Sequence, residues 1–137
     1  MISLPAELRH ALDTMMSGHR EQDLVRSTGE LTARYRRPAT EPALRSTTDV
    51  AAYAATRMPA TYAAVTAALT QAAASMPDYQ PTTQLDVGGG TGAAIWAATT
   101  LWPGLRQVTV VERDPAVIAF GRGLAAAAHH AAVRHAT

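Results

Sequence analysis

The stretch LDVGGGTGAAIWAA, residues 85–98, places four glycines in five positions between an apolar run and an alanine-rich one. A glycine inside a helix costs roughly 1 kcal/mol relative to alanine, so this cluster must be a turn. TQLDV before it reads as a short strand, and residues 91 to 101 after it read as a helix ending at WPG. A strand that runs into glycines and then a helix aims the helix N-terminus at whatever sits in the turn. Glycine permits positive φ there and lets a ligand approach the backbone without meeting a Cβ.

The pattern continues with RQVTVVE, a second, β-branched strand, and DPAVIAFGRGLAAAAHHAAVRH, a further helix with Pro115 in its first turn. The order β-α-β-α implies a right-handed parallel crossover. MPDYQP at 76–81 separates this half from a helical one. There, Ser3 can cap a first helix with Pro5 in its first turn, and Leu4, Leu8, Leu12 and Met15 recur at helical spacing until Gly18. A second helix spans roughly 19 to 36, with Leu24, Leu31 and Tyr35 on one side and Pro38 ending it. RRPATEPALRSTT is a linker. Thr48-Asp49 can cap a third helix carrying Val50, Tyr53 and Ala54, and Pro59 either kinks it or opens a new one that runs to about Ser75 with Tyr62, Val65 and Leu69. The expected organisation is a helical region, 1–78, and an α/β region, 79–137.

Composition narrows the class. The chain has no cysteine, which excludes disulfides, thiolate zinc sites and cysteine-ligated iron–sulfur clusters within it. All twelve basic residues are arginine and the formal charge is +1, so no strong field argues for nucleic acid. Aromatics are 5%, and an alanine-rich core is thin. No apolar run approaches the ~18 residues of a membrane helix, and MISLPAELRH does not read as a signal peptide. A soluble cytoplasmic protein is expected.

The glycines alone are ambiguous. Gly88, Gly90 and Gly92 make GxGxG, and with Ala93 they also fit GxGxxA, the dinucleotide pattern. Asp86 lies two residues before Gly88, at the buried end of the strand, where a carboxylate has to be satisfied by loop amides or by a ligand cation. S-adenosylmethionine carries an amino group and a sulfonium but no phosphate, and so fits an acid beside the loop better than a nicotinamide dinucleotide does. Glu112 closes the second strand 24 residues after Gly88, near the ~20 expected of an acid that accepts from ribose hydroxyls. It fits either cofactor. A glycine turn with a capping aspartate in an unrelated α/β protein is the third possibility.

LDVGGGTG followed by VTVVERDP resembles the first two motifs of a class I methyltransferase. With YAATRMPATYAAV, residues 53–65, and the opening LPAELRHAL, the chain resembles the Rsm22 family of ribosomal small-subunit methyltransferase-like proteins. The Arg-Met-Pro element is the more family-specific part. The resemblance implies an α/β fold in which a helical region precedes the first β-α-β-α units of a Rossmann-like sheet. It implies S-adenosyl-L-methionine as cofactor, with Gly88, Gly89, Gly90 and Gly92 at its methionine end, Asp86 reaching its amino group directly or through water, Glu112 on the ribose, and Arg113 and Asp114 beside the adenine. It also implies association with the small ribosomal subunit and its rRNA, as a methyltransferase or as an assembly factor that performs no transfer. Many family members hold a cysteine-ligated iron–sulfur cluster, which a chain without cysteine cannot hold. A nicotinamide-dependent oxidoreductase is the remaining alternative, supported by GxGxxA and opposed by Asp86.

Such sheets have about seven strands, and two are read here, so the domain is expected to be truncated, with its open edge needing a partner chain or a missing half. No catalytic residue can be assigned. His129, His130 and His135 read as an exposed group on a helix end more than as a metal site, because His130 and His135 are five apart. Arg34, Arg36, Arg37 and Arg45 form a basic stretch that could meet rRNA phosphates, but Glu30 and Glu41 interleave and favour a solvated face. Arg57 suits an ion pair as well as RNA. Tyr53, Tyr62, Trp96 and Trp102 read as core.

Overall fold

A computed structural model of the chain describes residues 1–35 and 46–137. Its elements are α1 (Ala6–Met16), α2 (Glu21–Tyr35), α3 (Thr47–Ser75), β1 (Thr83–Val87), α4 (Ala93–Leu101), β2 (Gln107–Val111), α5 (Pro115–Ala126) and α6 (Ala131–Arg134). The class is α/β: helices lie with a two-stranded parallel sheet in which Thr83 pairs with Gln107 and Val87 with Val111. No helix among the described residues is long and apolar enough to cross a membrane.

Helix starts differ from the sequence expectation. Pro5 is the N-cap of α1 and no side chain caps it, so Ser3 is not used. Ser46 caps α3, its hydroxyl accepting from the Asp49 amide at 3.1 Å. Thr48 instead meets His19 Nδ1 through its hydroxyl, 3.1 Å away. Pro59 neither ends nor restarts α3, which runs unbroken for 29 residues. Proline in a helix interior costs about 3 kcal/mol or more. Val50, Ala51, Ala54, Met58 and Tyr62, all buried on one side of α3, supply the packing that offsets it.

The single C-terminal helix expected from 114 to 135 is two. Ala127 closes α5, and His130 has extended backbone (φ −71, ψ 120) before α6 begins. Alanine propensity would carry the helix on, but tertiary contacts override it. His130 Nδ1 accepts from the Ala132 amide at 3.2 Å, and Nε2 meets the Pro103 carbonyl at 3.0 Å. His129 pairs with Glu7 of α1. The turn lets Leu124 and Val133 both enter the core at 0% exposure, which a straight helix would not allow.

One core joins Leu8 and Leu12 of α1, Val50, Met58 and Tyr62 of α3, Ile95 and Trp96 of α4, Val108 of β2, and Phe120 and Leu124 of α5. Tyr62, Trp96 and Trp102 are buried as expected, and Tyr53 is half-buried. Residues on the sheet face that meets this core alternate with residues on a bare one. Leu85, Val87 and Val111 are 66%, 73% and 50% exposed. On the outer side of β2, the Thr137 carbonyl accepts from the Val110 amide at 2.7 Å, and the Thr137 amide donates to the Val108 carbonyl at 3.1 Å. Among the described residues, β1 pairs with β2 alone.

Candidate functional site

β1 delivers the glycines at the end of its ladder. The Gly88 amide still donates to the Val111 carbonyl at 2.7 Å, and the chain then leaves the sheet. Gly88, Gly90 and Gly92 have φ of +72°, +58° and +98°, a region that L side chains rarely adopt. Gly89 is constrained differently. A Cβ there would lie 2.6 Å from both Asp86 Oδ2 and Val110 Cγ1, so the loop folds back on the sheet closer than any side chain permits. The Gly92 amide donates to the Gly89 carbonyl at 3.0 Å, and Gly92 then caps α4, whose first-turn amides have no intrahelical acceptor.

The two acids occupy distinct positions. Asp86 is on the core-side face of β1, opposite Val110. Its Oδ2 is buried and accepts no hydrogen bond, and burial raises its pKa above the ordinary carboxylate value of 3.8. Glu112 lies at the end of β2 and bridges to the loop. Its Oε1 accepts from the Arg113 and Asp114 amides at 2.8 and 3.1 Å, and its Oε2 accepts from the Gly90 amide at 3.1 Å. One lone pair of Oε2 is left for a further donor.

A cavity of about 280 Å³ opens beside the loop. Of the residues singled out in the sequence, Gly90, Gly92 and Glu112 line it. Asp86, Gly88 and Gly89 are not among its lining residues. Arg113 is exposed, and Asp114 is the N-cap of α5, its Oδ1 accepting from the Ala116 and Val117 amides at 2.9 and 3.4 Å. Asp114 thus caps α5, and neither it nor Arg113 is among the residues that line the cavity. Sequence reasoning missed Thr91, Gly121, Arg122 and Arg134, which also line the cavity. Gly121 had a signal: a glycine inside a helix often marks close packing, and here a Cβ would come 3.3 Å from the Thr91 carbonyl oxygen. Arg134 had none, because the turn at His130 brings it there. Of the basic stretch, Arg36, Arg37 and Arg45 lie outside the described residues, as does the side chain of Arg34.

Comparison with known proteins bears on this geometry. The family model for mitochondrial small ribosomal subunit Rsm22 matches residues 47–137, from the start of α3 through the glycine loop, Glu112 and the last helix. A human protein, the mitochondrial ribosome assembly protein METTL17, is 37% identical over 73 residues. That alignment covers 53% of this chain and 16% of the human protein, so the chain spans a small part of the relative's length. The matched region takes in the Arg57-Met58-Pro59 segment as well as the more widely shared glycines, and the chain belongs to the Rsm22 family.

Proposed function

We propose that the chain is the cofactor-binding part of a methyltransferase-like ribosome assembly protein, and that its loop and acids hold S-adenosyl-L-methionine. The observation that carries this reading is Asp86: a buried carboxylate oxygen without a donor, directly under a glycine loop, suits a cationic ligand group and opposes a phosphate. Three positive-φ glycines and a free lone pair on Glu112 Oε2 fit the same molecule. In this reading Asp86 accepts from the ligand ammonium, directly or through water, and Glu112 accepts from a ribose hydroxyl. A cavity of about 280 Å³ lies just below the ~300–1,000 Å³ usual for ligand sites, and suits one nucleoside better than two. The bound cofactor would supply an electrophilic methyl group; none of the described side chains is assigned to its acceptor.

The family and the relative's name support a role in association with the ribosome. The bare apolar face of β1 and β2, with the free edge of β1, supports a sheet completed by further strands or a partner. Calorimetric titration with S-adenosylmethionine, NADH and NADPH tests the cofactor. Saturable binding of the first alone, weakened tenfold or more by Asp86→Ala and by Glu112→Ala, is the expected result. Binding of a nicotinamide dinucleotide instead overturns the reading. Co-sedimentation with small ribosomal subunits tests the association separately.

A further inference from the structure

The Arg-Met-Pro segment of α3 has no place in the cofactor site as described, yet it reaches the loop from behind. Thr91 is the one non-glycine residue in GGGTG, and it stands between Gly90 and Gly92, both at positive φ. Glycines have little intrinsic preference among backbone conformations, so the shape of the loop depends on where Thr91 is held. Thr91 is buried at 5% exposure and lines the cavity together with Gly90 and Gly92. Its hydroxyl donates to Met58 Sδ at 3.9 Å, and Met58 is 2% exposed in the middle of α3. From the other side, the absence of a side chain at Gly121 lets α5 lie against the Thr91 backbone, 3.3 Å from where a Cβ would be. Thr91 is thus seated between α3 and α5, and Gly90 is tied in front to Glu112.

We infer that Met58 is a positioning residue: by seating Thr91 it sets the conformation in which the Gly90 and Gly92 amides and the cavity wall are presented to a ligand. The thioether is suited to this, being a soft acceptor that still fills an apolar site. The ligand half of the inference rests on the cofactor reading above; the loop half does not.

Amide hydrogen exchange on the ligand-free chain tests the loop half, in wild type, Thr91→Val, Thr91→Ser and Met58→Leu. The Gly90 and Gly92 amides donate to Glu112 and to the Gly89 carbonyl, and so report loop opening directly. In Thr91→Val and Met58→Leu both should exchange at least about tenfold faster, while amides in the middle of α4 change by less than about threefold. Thr91→Ser keeps the hydroxyl and should stay close to wild type. Unchanged loop exchange, or acceleration spread evenly over α4 and the loop, overturns the inference. Titration with S-adenosylmethionine should show at least a tenfold weaker Kd in the same two variants. If the wild-type chain takes up no S-adenosylmethionine, the cofactor reading fails while the exchange data still decide the role of Met58.

Discussion

The Gly90 amide donates to Glu112 Oε2 at 3.1 Å, joining the middle of the glycine loop to the end of the neighbouring strand. Because Oε1 takes two more backbone amides, this one carboxylate organises both β-to-α turns of the α/β region. Glu112→Ala removes three bonds to a charged acceptor, each worth about 1.5–3 kcal/mol net when buried and less at such half-exposed sites, where water replaces the carboxylate. A net loss of about 1–2 kcal/mol is expected, lowering Tm by roughly 3–7 °C in thermal denaturation. Glu112→Gln should lose less stability but as much ligand affinity, since its amide group confronts the Gly90 N–H.

Asp86 sets a pH dependence of the opposite kind to that of a paired carboxylate. Its folded pKa is raised by burial above 3.8, so the folded state binds its proton more tightly than the unfolded state does. Stability from this group is therefore greatest at low pH. It falls as pH rises from about 3.8 through the raised value and is constant above it. Asp86→Asn removes the penalised charge. Its Tm should exceed the wild-type value at pH 7, and the difference should close as pH approaches 3.8. A ligand ammonium that pairs with Asp86 should be bound more weakly by Asp86→Asn, so the variant trades affinity for stability.

Gly89 can be separated from its neighbours by a single methyl group. Its φ is not in the left-handed region, yet a Cβ would overlap Asp86 and Val110. Gly89→Ala should cost about 1–3 kcal/mol by forced repacking. At Gly104, nothing lies within 4 Å of a new Cβ, and Gly104→Ala should fall within about 0.5 kcal/mol of wild type in urea denaturation.

These contrasts show what the sequence could carry. Both strands, the glycine turn and α4 were legible because glycine punctuation and β-branched runs are local signals. The functions proposed for Asp86 and Glu112 followed from their distance to Gly88 along the chain. Tertiary decisions were not legible. The alanine run at 125–128 argues for a continuous helix, and only the Pro103 carbonyl and Glu7, distant in sequence, turn the chain at His129-His130. Pro59 argues for a kink or a new helix, and the burial of Met58 and Tyr62 keeps α3 a single helix. Arg134 reaches the cavity only after that turn is made.

The His130 turn is itself testable. Nδ1 accepts from the Ala132 amide while Nε2 faces a carbonyl, an arrangement that needs the neutral ring with its hydrogen on Nε2. His130→Ala should lower stability by about 1 kcal/mol, the usual worth of an N-cap, and His130→Asn should recover most of it. Because α6 presents Arg134 to the cavity, His130→Ala should also loosen that wall. Faster amide exchange through Ala132–Arg134 would register this.

The exposed sheet face gives the last test. Leu85 and Val87 are already 66% and 73% in water, so replacing them by threonine removes little buried area. In the isolated chain, each change should cost less than about 0.5 kcal/mol. Val108→Ala, on the covered face at 2% exposure, should cost on the order of 2 kcal/mol. The double variant Leu85→Thr, Val87→Thr should also be more soluble and less prone to self-association in sedimentation velocity, because three large apolar side chains beside a free strand edge invite pairing. If the double variant instead destabilises as much as Val108→Ala, the face is covered in solution. Sedimentation at falling concentration then identifies the cover: if stability and mass drop together, a second copy of the chain supplies the layer that the sheet lacks.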